Sequence, residues 1–437
     1  MWTYHPELLA TPVPRYTSFP TAAEFGPGVS AADYAAALGS ASGDISLYLH
    51  IPFCEKICWY CGCNTGAANR PHRLTSYLEA LHREIRLVAE QLPSDVRVKR
   101  IAFGGGSPNA LRPDDFLRLM EAVAANFALD DPLLSIELDP RSLTDEWGPA
   151  LAAIGARYAS MGVQTFAPHI QQAIGRIQPL RMIERGVELL RRAGVRSLNF
   201  DLMYGLPGQA LDDLSDAIQR AANLGADRVA LFGYAHVPHL IARQRRIDGS
   251  ALPEQKERFR MAELGHQRLL EAGYRAIGFD HFARPTDSLA RAEAAGTLRR
   301  NFQGFTDDRA PILIGLGASA IGSFPGLLAQ NEKNSGRYRM LLSQDILPIS
   351  HGILRTAEDR RRGLLIENLL CQGRAHVDAD LKREVARAIG PFVEASLCRF
   401  RGTFLEILPG GIPYARTIAS LFDPYRSHSS RRFSSAV

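Results

Sequence analysis

The sequence predicts an α/β fold built on a parallel sheet, and three observations carry the prediction. Short apolar runs alternate with amphipathic helical patterns from about residue 46 to residue 325, as crossover-connected parallel strands require. Six such units suffice for a barrel-like or partly open arrangement. Each run is followed by a segment rich in chemically capable residues, and α/β folds collect functional groups on the loops after their strands.

The predicted strands are ISLYLHI (45–51), VKRIAF (98–103), LLSIEL (133–138), YASMGV (158–163), RSLNFDLM (196–203) and RVALFGY (228–234). They are short, apolar and rich in β-branched and aromatic residues. Between them RLTSYLEALHREIRLVAEQL (73–92) and DDFLRLMEAVAANF (114–127) repeat apolar residues at helical spacing. A cysteine cluster follows the first strand and GGGSP (104–108) the second, while Glu137 closes the third. Gln164 follows the fourth strand, Asp201 lies near the end of the fifth, and Tyr234, Ala235 and His236 follow the sixth. Beyond about residue 350, Arg- and Glu-rich patterns (356–372, 380–400) predict helices. The expected organisation is an N-terminal segment (1–44), an α/β domain (45–325) and a smaller helical C-terminal domain (326–437) whose tail, 423–437, is a mobile surface chain.

The 437 residues give ordinary apolar and charged fractions, so a sizeable core is expected. No uninterrupted apolar stretch reaches the length of a membrane span, and the N-terminus lacks the basic-then-apolar pattern of a secretory signal. The expected compartment is the cytoplasm. The net charge is +5, and lysine occurs only as Lys56, Lys99, Lys256, Lys333 and Lys382, so nearly all positive charge is arginine. That preference fits either genomic base composition or a polyanionic ligand, since guanidinium groups pair bidentately with carboxylates. The only short basic run, 360–362, has no interleaved aromatics, which argues against nucleic acid.

Cys54, Cys58, Cys61 and Cys63 crowd one loop, whereas Cys371 and Cys398 are isolated in helical patterns and read as packing residues. In a cytosolic chain such crowding points to metal rather than disulfide. The C-x3-C-x2-C spacing of Cys54, Cys58 and Cys61 suits three corners of a 4Fe–4S cubane, leaving the fourth iron open to a small molecule. Cys63 is the competing fourth ligand. A structural zinc site is the competing metal, although zinc usually takes paired ligands from two loops and no second pair is present.

The loop HIPFCEKICWYCGC (50–63) resembles the radical S-adenosylmethionine signature. With PRYTSFPTA (14–22), SIELDPR (135–141), SMGVQTF (160–166), NFDLMYGLP (199–207), YAHVP (234–238), FDHFARP (279–285), RRNFQGF (299–305) and GLGASAIG (315–322), the chain is similar to the oxygen-independent coproporphyrinogen III dehydrogenase (oxidase) family of haem synthesis. The resemblance implies a partial (β/α)6 radical-SAM barrel with a helical C-terminal domain. It implies a 4Fe–4S cluster and two S-adenosylmethionine molecules. Tyr48, Tyr60, Gly105, Glu137, Ala235 and Ile321 match positions around the first of these; Gly106, Ser107, Gln164, Arg176 and Asp201 match positions around the second.

The implied reaction uses a deoxyadenosyl radical to convert two propionates of coproporphyrinogen III to vinyl groups, giving protoporphyrinogen IX under anoxia. Each step releases carbon dioxide and one electron. The implied partners are that substrate and a one-electron reductant such as a flavodoxin or ferredoxin, with no nucleic acid or membrane, and the chain is expected to be a monomer. Ser107 stands where the family usually has Thr, Phe305 where it has Tyr, and TDDRAPILIG (306–315) departs from the family's acidic run. Two other readings fit the sequence: a radical-SAM relative acting on another substrate, and a haem-binding or haem-delivery paralogue.

Overall fold

The computed structural model describes residues 1–68 and 71–428. Its centre is a twelve-stranded sheet. Six parallel strands form its middle: β1 (Asp44–Ile51), β2 (Arg97–Gly105), β3 (Leu129–Leu138), β4 (Tyr158–Gln164), β5 (Ser197–Tyr204) and β6 (Arg228–Gly233). These are the six runs the sequence predicts, paired in chain order. β1 is covered on both faces: Leu47, Leu49 and Ile51 are fully buried on one, and Ser46 and His50 are buried on the other.

Beyond β6 the sheet adds β7 (Arg275–Ile277) at its edge and β8 (His281–Ala283) between β7 and β6, both antiparallel. On the other side β9 (Ile312–Leu316) runs parallel to β1, and β10 (Ile321–Phe324), β11 (Leu327–Asn331) and β12 (Ile349–Leu354) follow as antiparallel hairpins. The expected boundary after residue 325 therefore falls in the turn of a hairpin that belongs to the main sheet.

The crossover helices bury one stripe each. In Pro71–Ala89 the residues Tyr77, Leu81, Ile85 and Val88 are fully covered at i, i+4, i+8 and i+11. Pro113–Asn126 begins with proline at its first turn and Asp114 and Asp115 beside it, favourable for the helix dipole. It buries Phe116, Leu119, Met120 and Val123.

The C-terminal part has its own core, but it is not purely helical. Helix Ala357–Gln372 opens on a capping box between Thr356 and Asp359 and stops at Gly373, whose φ is 65°. Helix Ala379–Glu394 ends short of the predicted 400, because Ser396 turns the chain at φ 55° into strand Cys398–Arg401. That strand joins Arg374–His376 and Phe404–Ile407 in a small antiparallel sheet.

The N-terminal segment is shared between two cores: Leu9, Val13, Tyr16 and Phe19 pack with the C-terminal part, while Val29, Tyr34 and Leu38 pack with the core of the main sheet. Residues 423–426 are pinned rather than mobile: Asp423 accepts from Tyr16, Tyr425 donates to Asp359, and Arg426 donates to the Pro12 carbonyl. Residues 429–437 of the expected tail lie outside the described residues. Among the described residues no helix is long and apolar enough to cross a membrane.

Candidate functional site

At the C-terminal ends of the parallel strands lies a cavity of about 500 Å3. The cysteine loop enters it directly from β1 and is fixed from both sides. Phe53–Cys54 pairs with Gly66–Ala67, and the Trp59 amide donates to the Ile174 carbonyl at 3.1 Å. Gly175, at φ 65°, is needed beneath Trp59, since a Cβ there would stand 2.6 Å from the indole. Cys54, Cys58, Cys61 and Cys63 all line the cavity. Burial pushes the Cys54 thiol up to about 12, whereas a hydrogen bond from Cys63 brings Cys61 down to about 6. Among the described residues no His, Cys, Asp and Glu group forms a site for a single metal ion.

The ends of β2 and β3 supply the opposite wall. The Gly105 amide donates to Glu137 at 3.1 Å. A Cβ on Gly105 would stand 2.4 Å from the His50 ring, and one on Gly106 would stand 2.5 Å from the Phe53 carbonyl oxygen. Their glycine requirement is thus set by the protein's own chain at this point. His50 is held between the Tyr48 hydroxyl at 3.1 Å and Ser319 at 3.2 Å. Burial raises the Glu137 carboxyl to about 7. Asp201, on β5, accepts from Asn199 at 2.8 Å and Ser160 at 3.2 Å, and burial raises it as well.

Gln164 ends β4 at a register irregularity with φ 60°, a left-handed conformation unusual for a side-chain-bearing residue. It lines the cavity, and its Oε1 is buried without a hydrogen-bond partner. Backbone strain and an orphaned polar atom at one residue mark a place shaped for a ligand.

Sequence reasoning missed Asp139, the hub of the site. It binds Arg141 at 2.6 Å and Arg176 at 3.3 Å, and both guanidinium groups also donate to Cys58 Sγ at 3.1 Å. Burial opposes its ionisation, but Arg176 and Arg141 outweigh burial and hold the carboxyl below its usual range. Arg176 Nη2, which meets Asp139, also donates to Gly162 O at 2.6 Å, and its Nε donates to Gln178 Oε1 at 3.0 Å. Every Arg176 nitrogen is therefore engaged within the protein. Gln244 was also missed: its Nε2 donates to the carbonyls of Tyr60 at 2.8 Å and Ala235 at 3.0 Å, tying the cysteine loop to the segment after β6. Asp139 and Arg141 sat inside SIELDPR, where spacing was the available signal. Gln244 had none.

Of the residues singled out from sequence, the three candidate ligands and Tyr60, Gly105, Gly106, Glu137, Gln164, Arg176, Asp201 and Ala235 meet at this cavity. Tyr48, Ser107 and Ile321 do not line it. Tyr48 faces His50, and Ser107 donates to Asn109 while accepting from the Asp139 amide at 3.2 Å. Ile321 starts β10 opposite Gln330.

Residues 48–221 match the family model described as the radical SAM superfamily. The chain is 39% identical over 437 residues to the oxygen-independent coproporphyrinogen III oxidase of Bradyrhizobium diazoefficiens, covering 97% of each protein. It is 40% identical to that of Paracoccus denitrificans, covering 94% of each. The solved structure of coproporphyrinogen III oxidase (HemN) from Escherichia coli, described as a radical SAM enzyme, superposes with a TM-score of 0.91 at 33% identity, over 97% of this chain and 99% of that one.

Proposed function

This chain belongs to the oxygen-independent coproporphyrinogen III oxidases of the radical SAM superfamily, and from that premise we propose how its cavity serves the reaction. The protein is an oxidoreductase that decarboxylates two propionates of coproporphyrinogen III to give protoporphyrinogen IX. The observation that carries this reading is the single cavity joining Cys54, Cys58 and Cys61 to Glu137, Gln164 and Asp201.

The residues fit the group the family implies. Three thiols on one anchored loop suit a 4Fe–4S cluster, and Arg141 and Arg176 bring positive charge to Cys58 Sγ. The unpartnered Gln164 oxygen beside them awaits a donor. When bound, the cluster supplies the one-electron reduction that splits the sulfonium of S-adenosylmethionine.

The protein's own residues bind, orient and exclude water. Two S-adenosylmethionine molecules share the cavity. Glu137 accepts from the ammonium group of the first, with Gly105, Tyr60 and Ala235 around it. Gln164 and Asp201 accept from ribose or ammonium donors of the second, beside Gly106. Arg176 acts through Asp139 and Cys58 and orients the loop, since its donors are already engaged. Tyr48, Ser107 and Ile321 support this wall from behind. Cys63 is not a cluster ligand. The chain works as a cytoplasmic monomer supplied by a small one-electron donor protein such as a flavodoxin or ferredoxin.

The test is anaerobic reconstitution with iron and sulfide, followed by S-adenosylmethionine, reductant and coproporphyrinogen III. Protoporphyrinogen and deoxyadenosine are expected together, at about two deoxyadenosines per product. Deoxyadenosine without protoporphyrinogen overturns the substrate assignment. Neither product, with stoichiometric haem binding, replaces the reading by haem handling.

A further inference from the structure

A second, smaller cavity of about 50 Å3 adjoins the first, and Arg15 and the segment Phe232–Ala235 line both. Three guanidinium groups line the smaller one against one carboxylate, that of Asp280. They come from distant parts of the chain: Arg15 from the N-terminal segment, Arg258 from helix Gln255–Glu271, and Arg416 from helix Ala415–Ala419. Asp280 is already engaged, with His281 Nδ1 at 2.6 Å.

Behind the cavity Arg300 donates from two nitrogens to the Arg15 carbonyl, at 3.3 and 3.1 Å, and lies over the Phe305 ring at 4.3 Å. Its Nη1 is buried without a hydrogen-bond partner. Burial and the Arg15 charge bring Arg416 down to about 10, so the group is held where its charge is disfavoured.

Gathering arginines this way carries an electrostatic cost that an entering anion relieves. The guanidinium fork matches a carboxylate in shape and charge. The wall beside the arginines is aromatic, with Trp2, Phe232 and Phe279, which suits the methylenes of an acid's side arm. The volume admits one such arm and excludes a macrocycle.

We propose that this cavity receives a carboxylate arm of the substrate that is not reacting, paired with Arg15, Arg258 and Arg416, so that another arm is presented to the larger cavity. The proposal rests on the functional reading above, because it takes a polycarboxylate as substrate. Arg300 and Asp280 act as positioning residues that hold the three forks in place.

The test uses reconstituted holoenzyme and two probes, coproporphyrin III and its tetramethyl ester, in fluorescence titrations. Wild type is expected to bind the acid and to bind the ester at least about tenfold more weakly. Arg258→Met and Arg416→Met are each expected to weaken acid binding about tenfold or more and to raise KM for coproporphyrinogen III by a similar factor. Binding of S-adenosylmethionine and the cluster's visible absorption should not move; a merely structural role would lower both together with the melting temperature. Where a Met variant does not hold the cluster, Arg258→Lys or Arg416→Lys replaces it, and loss of the bidentate grip is still expected to weaken binding about threefold or more. Turnover by wild type combined with wild-type acid binding in the variants overturns the subsite and leaves the function standing. Equal binding of ester and acid does the same. Failure of wild type both to bind coproporphyrin III and to form protoporphyrinogen overturns the functional reading and the subsite with it.

Discussion

Gln164 pays twice for its place: a left-handed backbone costs a residue with a side chain about 1–2 kcal/mol, and its buried Oε1 has no partner. A donor entering the cavity offsets the second cost by pairing with that oxygen. The cysteines divide by a similar logic. Cys54, Cys58 and Cys61 share the anchored loop, whereas Cys63 donates its amide to Cys61 Sγ at 3.4 Å and acts on a neighbour. Changing Cys54, Cys58 or Cys61 to Ser should abolish the visible absorption of the anaerobically reconstituted protein, and Cys63→Ser should retain it. Four irons lost from Cys63→Ser would reverse that assignment.

Glu137 makes a pH-dependent prediction. Burial places its carboxyl at about 7, so it gains charge as pH rises through that value. Binding of the cationic S-adenosylmethionine should tighten from about pH 6 to about pH 8. In Glu137→Gln, binding should be about tenfold weaker and flat over that range. Calorimetry on reconstituted protein at both pH values reads the difference.

At the scale of elements, Glu84 joins helix Pro71–Ala89 to the strands beyond β1. It accepts from the Gly317 amide at 2.7 Å, Asn331 Nδ2 at 2.6 Å and Tyr338 OH at 2.6 Å, fully buried. These contacts bind the turn after β9, strand β11 and the helix Ser335–Ser343 to helix Pro71–Ala89, beyond the boundary expected at residue 325. Burial lifts the Glu84 carboxyl from the ordinary 4.5 to about 7 in spite of the three donors. The folded protein therefore holds a proton there that the unfolded chain releases at lower pH. This contribution to stability is full below about pH 4.5 and is lost as pH rises through about 7, by at most about 3 kcal/mol. Denaturant unfolding of Glu84→Gln should show a flatter stability profile between those values than wild type. A profile as steep as wild type's would place the titration elsewhere.

For the whole molecule, the N-terminal segment and the C-terminal part close on each other. The Tyr414 hydroxyl accepts from the His5 amide at 2.8 Å and donates to the Thr3 carbonyl at 2.7 Å, and its ring is fully buried. Tyr4 donates to Gln255, which in turn donates to the Leu9 carbonyl, so the N-terminal segment straps the C-terminal part to helix Gln255–Glu271. Tyr414→Phe removes both hydrogen bonds, to the exposed Thr3 and the half-buried His5, and should cost about 0.5–1.5 kcal/mol. Thermal unfolding should show the loss, with the cluster's absorption intact before melting. An unchanged midpoint would mean that the strap contributes no stability.

The sequence by itself determined the local and periodic features of this protein. Six parallel strands were legible because each carries a short apolar run whose alternate residues are buried, as Leu198, Phe200 and Leu202 are, and the cluster loop because its three thiols lie within one short turn. Cys371 and Cys398 were legible as packing residues, and both are buried. Only the tertiary structure decided what depends on long-range closure. Asp139 became the hub of the site by meeting Arg176 across 37 residues of chain. Gln244 became a clamp by reaching Tyr60 across 184. Leu327–Asn331 became a fully buried strand of the main sheet, although nothing in a five-residue run assigns it to one core or another. Spacing along the chain encodes a helix stripe or a ligand loop, because those contacts are made within a few residues. It does not encode which distant carboxylate a guanidinium will face; that is settled only when the strands have brought their ends together.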